Sequence, residues 1–600
     1  MKNEEKKAVR IGTEQVRKAQ QILLKYKEGK ANLERRVVEN EQWYKLRHWE
    51  SMRKKGPDEV EPVSGWLFNA IANKHADAMD NYPAPGILPR EESDRAEAQM
   101  LSSIIPVVLE QNDFEETYDR VWDYKLKAGT GIYGIFWDKD RLNGLGDIAI
   151  RKVDILSLFW ESGITDIQNS RNLFHVQLQD NDLLLDRYPQ LEGKLGGEGD
   201  ASLSKYVYDD TVDCTGKSAV VDWYYKKRQK GRTVLHYCKF LGDEVLFATE
   251  NETEPLADEA GAIVRQPMAE TGWYDHGLYP FVFDPLFSVE GTPCGFGYID
   301  IGKSAQEYID RGNQAILKNM LANTRPRHFI RSDGSVNEQE YADQTCDFVH
   351  VDGALGQDSI LPIQGKMLSS IYVEVINNKV DELKEVTGNR DISTGGTASG
   401  VTAASAIAAM QEAGSKLSRD NNKASYRAFR RVVLMIIELI RQFYELPRCF
   451  RILGEDGVQT FVAYSNEGLR PQRLETPFGM EQQTRLPLFD VQITAQKQSP
   501  YSKMSQNELA LQFYSAGLFN PQMADQALAC LDMMDFDRKQ FVMQAIARNA
   551  SRFRQQAAVM AGAEMNPAGA GRTQAAGGAK REIPATERAR RRVAESTSPR

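Results

Sequence analysis

From residue 11 to residue 55 the apolar positions recur at helical spacing. Val16, Ile22, Leu23 and Tyr26, then Leu33 and Val37, fall on one face, which predicts a long helix with a single buried stripe. It runs into Trp43, Tyr44 and Trp49, an aromatic cluster that needs a larger surface to pack against. Past the Gly56-Pro57 break, "GWLFNAIANKHADAMD" and "SDRAEAQMLSSIIPVVLEQN" show the same spacing, and Ser93 is placed to cap the second of them with Glu97 in its first turn. Glu115 to Lys127 is again helical. From 131 to 290 the spacing switches. "GIYGIFWD", "GDIAIRKVD", "LFHVQLQD", "AVVDWYYKKR", "TVLHYCKF" and "PFVFDPLF" are rich in β-branched and aromatic residues and read as strands.

Helical spacing then returns at greater length. After "GTPCGFG", read as a flexible lead-in, one uninterrupted helix covers Tyr298 to about Asn323, and Pro326 ends it. A compact mixed insert follows: "RHFIRSDG", a short helix from Asn337, and strands "DFVHVD" and "SILPIQ". A second helix runs from Met367 to Thr387, with Gly388 as its natural closing residue. Next comes a Gly/Ser/Thr stretch, and out of it a third helix from Thr402 to Tyr444, Ala-rich at its start and bulky at its end. "FRILGEDGVQTFVAY" and "LFDVQITAQ" read as strands. Residues 501–550 read as short helices with turns at Gly517 and Asn520-Pro521. From about residue 555 onward Ala, Gly, Arg and Gln dominate, a disorder-prone composition with one possible basic helix. The fold class expected is α+β and multidomain, because 600 residues exceed what one core can serve.

Composition narrows the function. With 41% hydrophobic and 26% charged residues the chain is an ordinary folded protein, and a net charge of −9 argues against a large basic nucleic-acid surface. No apolar run approaches the roughly 20 residues of a membrane span. The most apolar stretch, Val432 to Ile440, is bracketed by Arg430, Arg431 and Arg441 and reads as a buried helix. The first residues lack the apolar core of a signal peptide, so a cytoplasm-like compartment is expected. Cys214, Cys238, Cys294, Cys346, Cys449 and Cys530 stand singly and are expected to be free thiols, and the seven histidines are dispersed, so neither a disulfide framework nor a metal site is expected.

The motifs that suggest catalysis do not hold their context. Gly129-x-Gly131-x-x-Gly134 matches the dinucleotide fingerprint, but helix precedes and strand follows, the reverse of what places pyrophosphate on a helix N-terminus. Asp138-x-Asp140 with Asn143-Gly144 lacks the closing acid of a calcium loop and reads as a hairpin turn. Gly414-Ser415-Lys416-Leu417 lacks the first Gly and the Ser/Thr of a Walker loop. Asp180 and Asp182 sit in a helix-start context, and there is no GxSxG elbow. The expectation is a non-enzyme with no catalytic, metal or cofactor residues.

The order of parts resembles the portal proteins of tailed bacteriophages. The resemblance is carried by "GFGYIDIGKSAQEYIDRGNQAILKN" (295–319), "IYVEVINNKVDELKEVTGNRDI" (371–392) and "GTASGVTAASAIAAMQEAGSK" (396–416), in that succession. It implies a wing over 1–295, a first stem helix at 296–325, a clip at 326–366 and a second stem helix at 367–388. A tunnel loop at 389–400, a long kinked wing helix at 401–446 and wing strands at 447–500 follow, then a helical crown at 501–550 and a tail at 551–600. The resemblance further implies a ring, twelvefold by the family's habit, at one capsid vertex, with double-stranded DNA driven through its axis by a separate terminase. The partners implied are the terminase large subunit, the major capsid and scaffolding proteins and a neck or tail adaptor, with no membrane and no cofactor. The location implied is the virion portal vertex, reached from the host cytoplasm during assembly. The rival reading is a capsid-associated scaffold or adaptor without a DNA channel.

On that reading Asn389, Arg390, Asp391, Ser393, Thr394, Gly395, Gly396 and Thr397 line the channel as the tunnel loop, where small residues let many copies crowd one axis. Lys379, Lys384 and Arg390 are the candidates for sparse phosphate contacts, since a passage for a moving polyanion must not hold it tightly. Arg327, His328, Arg331 and Asp352 on the insert are the candidates for docking terminase or adaptor. Lys303, Glu307, Asp310, Arg311 and Lys318, like Glu374, Lys379, Asp381, Glu382, Lys384 and Glu385, mix signs and read equally well as a solvated face. Arg588, Arg590, Arg591 and Arg592 are the densest positive patch, either a solubilising tail or a contact for DNA, scaffold or capsid.

Overall fold

The computed structural model describes residues 10–52, 60–195, 216–257, 263–324, 328–330, 337–342, 350, 360–362, 369–388, 416–453, 459–474, 483–497, 510–532 and 539–564. The chain forms two units, Met1–Gln498 and Ser499–Arg600. The first begins with α1 (Thr13–Tyr44), whose stripe buries Val16, Ala19, Tyr26, Val37 and Trp43 as its spacing demands. The N-terminal half of α1 packs on the aromatic face of a sheet, against Phe159, Phe174 and Trp223, and its second half enters the main core. α2 (Trp66–Met79) follows, burying Leu67, Ala70, Ile71 and Ala78.

β1 (Asn81–Pro89) is a strand that composition hides, because "NYPAPGILP" holds three prolines. Pro83, Pro85 and Pro89 share one parity, so their missing N–H groups all lie along one edge. That edge faces away from the strand's pairing partner, for Ile87, of the same parity, donates its N–H to Ser102 Oγ at 2.9 Å instead. α3 (Arg95–Gln111) then starts without the expected Ser93 cap. Ser93 lies in a short 3-10 turn, Asp94 is the residue before the helix, and the Asp94 carboxylate is taken by Arg485.

α4 (Phe114–Ala128) ends at Gly129, in the left-handed region at φ 85°, and β2 (Thr130–Asp138) starts at once. The glycine motif is thus a helix end and a strand start, as its inverted order implied. β3 (Asp147–Lys152) pairs antiparallel with β2 across a turn in which Leu142 and Asn143 are left-handed, the hairpin expected there. β4 (Leu158–Trp160), β5 (Asn172–Asp180), β6 (Lys217–Gln229), β7 (Arg232–Leu241) and β8 (Glu244–Ala248) form a five-stranded antiparallel meander. β9 (Phe281–Pro285) joins the other side of β2.

α5 (Tyr298–Thr324) leaves this body through "GFG". The lead-in is packed rather than flexible. A Cβ on Gly129 would stand 2.5 Å from the Phe296 backbone, and one on Gly297 would stand 2.6 Å from the Leu126 carbonyl. Gly295 donates its N–H to Thr130 Oγ1 and its carbonyl accepts from Arg36. Here two backbones touch with no side chain between them, and only glycine permits it. β10 (His328–Ile330) and β11 (Ile360–Pro362) pair antiparallel between α5 and α6 (Ile371–Thr387). Strand "DFVHVD" lies outside the described residues. Gly388 closes α6 at φ 65°.

α7 (Lys416–Phe443) buries Phe429, Val432, Val433, Ile436, Ile437 and Ile440, and its predicted first turns before 416 lie outside the described residues. β12 (Arg448–Leu453) and β13 (Gln459–Tyr464) make a hairpin, and β14 (Phe489–Lys497) is the partner of β1, some four hundred residues away. In the second unit α8 (Ala524–Asp532) packs on α9 (Lys539–Glu564) around Phe513, Leu531 and Ile546. α9 continues through 551–564, which composition assigns to the tail, and Arg554 on it holds Asp525 with both carboxylate oxygens within 2.8 Å. Cys238, Cys294, Cys449 and Cys530 are free thiols.

The glycine junction yields a test. Gly297→Ala should cost about 1–3 kcal/mol, the usual penalty of overpacking a site that cannot relax, and should lower the melting temperature measured by calorimetry. Gly163→Ala is a control for a left-handed glycine with open space around it, so it carries backbone strain without a clash.

Candidate functional site

The α5–α6 pair is the candidate. Three contacts fix its geometry: Lys379 Nζ stands 5.5 Å from the Tyr308 ring, a Cβ on Gly312 would meet Ile376 at 2.8 Å, and Gly302 faces Leu383. The α5 numbers rise as the α6 numbers fall, so the helices run antiparallel, and Gly312 sets their close approach.

α5 is rooted through Asp310. Sequence reading placed this residue among charges on a solvated or channel-facing side, and the structure buries it completely. Its Oδ1 accepts from the Ser64 N–H (3.1 Å), the Ser64 hydroxyl (2.8 Å) and Gln306 Nε2 (3.1 Å), and its Oδ2 meets His48 Nδ1 at 2.6 Å. The His48 ring stacks on Trp43 at 4.4 Å, and its other nitrogen faces the Trp43 carbonyl at 3.0 Å. Alternating charge along a helix cannot distinguish such a carboxylate from its solvated neighbours, because the partners come from another part of the chain. Of those neighbours, Lys303 pairs with Glu39 on α1, and Glu307 pairs with Arg311 one turn away at 2.6 Å.

Of the phosphate candidates, Lys379 and Lys384 lie on α6. Lys379 is bound to Glu382 at 2.6 Å, and Lys384 stands 5.8 Å from the Trp66 ring. Each positive charge is therefore tempered locally. Arg390 and the other tunnel-loop candidates, Asn389, Asp391, Ser393, Thr394, Gly395, Gly396 and Thr397, lie outside the described residues, as do Arg327, Arg331 and Asp352. His328 is the first residue of β10, paired with Pro362.

Sequence reading missed the apolar surface of this pair. Ile371, Tyr372, Val373 and Val375 at the start of α6 are 44–57% exposed, and Tyr308, Met320 and Leu321 on α5 are 49–59% exposed. The signal was present in "IYVEV", whose apolar residues surround the helix and cannot all face one partner.

α7 is anchored by a closed network. Lys125 on α4, Asp284 on β9 and Ser425 on α7 are each at most 1% exposed. Lys125 Nζ donates to Asp284 Oδ1 (2.8 Å) and to Ser425 Oγ (2.6 Å), and Ser425 donates to Asp284 Oδ2 (2.8 Å). Burial lowers the lysine's affinity for its proton, Asp284 opposes that shift, and the Trp122 ring 4.4 Å away adds a cation–π contact. Serine, lysine and aspartate together can form a nucleophilic set, but here the Ser425 hydroxyl gives its proton to Asp284 and accepts from Lys125, so the three side chains are bound to one another.

Among the described residues no group of His, Cys, Asp or Glu is arranged to hold a metal ion, and no helix is long and apolar enough to cross a membrane.

A family model described as "Phage P22-like portal protein" matches residues 35–277 and 289–591, spanning the meander, α5, α6, α7 and the second unit. No curated protein matches the chain.

The buried network is testable by calorimetry. Lys125→Met leaves the Asp284 carboxylate buried without its cation and should cost about 3–5 kcal/mol. The double variant Lys125→Met/Asp284→Leu should recover most of that loss, because no charge then remains to be desolvated.

Proposed function

The chain belongs to the phage P22-like portal protein family, and from that premise we propose a ring of twelve subunits whose channel is walled by α5 and α6. As a portal protein it serves capsid assembly and DNA packaging, at the portal vertex of the virion. Membership implies a ring oligomer that works with capsid, DNA and terminase, and the family is structural rather than enzymatic. A scaffold or adaptor role without a channel has no support beside it.

The observation that carries the finer reading is the exposed apolar surface of the α5–α6 pair. A single chain leaves Ile371, Val373, Val375, Tyr308 and Met320 in solvent, and such a surface marks a site of association. Identical subunits that meet head to tail around an axis bury it repeatedly and close the ring. The charges fit a conduit. Lys379, neutralised by Glu382, and Lys384 lie where a passing duplex meets few uncompensated cations, so little counterion release holds it in place. On this reading 389–400 is the tunnel loop, with Arg390 as the third phosphate contact, and 326–366 is the clip. The clip presents Arg327, His328, Arg331 and Asp352 to the terminase large subunit and to the neck or tail adaptor. Residues 501–550 form the crown, and the wing faces the major capsid and scaffolding proteins. Assembly takes place in the host cytoplasm.

Negative-stain images of the purified protein should show rings with a central hole; compact monomers or closed shells would overturn the reading. Val375→Asp, at a half-exposed position that a folded monomer tolerates, should weaken ring assembly by tenfold or more in native mass measurements, since a charge would be trapped in an apolar contact. Gly395→Pro with Gly396→Pro should leave rings intact and lower DNA packaging, and unaltered packaging would reduce 389–400 to a plain linker.

A further inference from the structure

Residues 389–415 depart from the end of α6 and return at the start of α7, and both points meet one side chain. Lys74, on the inner face of α2 and 5% exposed, directs its ammonium at the Gly388 carbonyl (3.4 Å) and at the Ser418 hydroxyl (3.1 Å). Gly388 is the C-terminal cap of α6, and Ser418 lies in the first turn of α7. Asp77, one turn along α2, accepts from Ser418 Oγ at 3.2 Å and lies 3.8 Å from Lys74 Nζ. Beside them Thr387, fully buried, returns its hydroxyl to the Leu383 carbonyl at 2.8 Å.

We infer that Lys74 is a positioning residue that holds both flanks of 389–415 at a single point. The inference rests on the reading of 389–400 as the channel-lining loop. A segment of this length does not itself set the distance between its ends, because closure entropy changes only slowly with loop size. A buried ammonium does set it. It has three donors and no acceptor, so it gathers oxygens from whichever chains surround it. A helix C-terminus with its unpaired carbonyls and negative dipole is a favourable partner for that charge. The hydroxyl of Ser418 passes the contact on to Asp77, which balances the cation. Force applied to the segment is therefore taken up by α2, whose Leu67, Ala70 and Ile71 are sunk in the core, and α6 and α7 are not drawn apart.

The test is amide hydrogen exchange on the assembled full-length protein. Lys74→Met keeps the stem length and removes the donors. Residues 383–388 and 416–422 should exchange about tenfold faster, both together, while 121–128 in α4 stay unchanged; tenfold is the scale expected for loss of one charged hydrogen bond. Lys74→Arg, whose fork can reach both oxygens, should restore slow exchange at both flanks, which a filler of space would not do. Ser418→Ala, which cuts one arm only, should loosen 416–422 and leave 383–388 protected, and it serves if Lys74→Met does not fold. Faster exchange at one flank or at neither in Lys74→Met would overturn the clamp. DNA packaging, measured on the same variants, should fall severalfold in Lys74→Met. If both flanks loosen and packaging holds, the clamp stands and the channel-loop reading fails.

Discussion

Lys125 and Asp284 are charges without solvent, and the arrangement of the first unit is built around keeping them together. Removing two ions from water costs several kcal/mol each, and only close contact with further hydrogen bonds offsets it. Ser425 supplies those bonds, receiving from the lysine and donating to the aspartate. The three residues come from α4, β9 and α7, separated by well over a hundred positions each. None of these elements can shift without stranding a charge, so the helix before the glycine junction, the small sheet and the long helix behave as one body. Aromatic contacts extend the same body. Phe114 on α4 meets Phe429 on α7 at 5.3 Å, and Trp137 on β2 stacks on Phe443 at 4.5 Å.

From that body α5 projects along a direction set by two further constraints. At its base the backbones of Gly129, Gly295 and Gly297 touch without intervening side chains, which leaves the helix no freedom to tilt there. Near its midpoint, Asp310 is held by Ser64, Gln306 and His48, all of them buried or half-buried groups from the N-terminal region or from α5 itself. Farther out Gln314 donates to the Val60 carbonyl at 2.9 Å, and the outer parts of α5 and α6 expose apolar side chains. A strut that is rigid at its root and carries exposed apolar side chains beyond it suits the proposed ring, in which copies of the chain would supply the contacts that one chain lacks. On the proposed reading, the pairing of Lys379 with Glu382 on α6 suits a wall past which a polyanion has to slide.

Much of this was legible before the structure. The long helices at 298–324 and 371–387, the three central strands of the meander, the inverted glycine motif and the hairpin after β2 follow from local spacing and turn chemistry, which act over a few residues. The succession of helix, insert, helix, loop and helix was enough to suggest the portal family. Misreadings came where a distant partner overrode a local preference. Ser93 is a good cap by type, but the residue before the helix is Asp94, whose carboxylate is ion-paired with the distant Arg485. "NYPAPGILP" is a poor strand by type, but β14 needs only one of its edges, and its prolines all lie on the other. "GTPCGFG" has the composition of a flexible linker and the role of a close-packed joint.

The sequence by itself determined the periodicity of each element, the helix ends at Gly129 and Gly388, and the order of parts, because these depend on residues within a turn or two of one another. It could not show that Asp310 and Lys74 are buried, that Lys125 is one-third of a closed network, or that Ile371, Val373 and Val375 remain in solvent. A lone charged residue has the same local pattern whether it faces water or a partner three hundred positions away. Tertiary structure made that choice, because burial is a property of what the other segments bring to the same place.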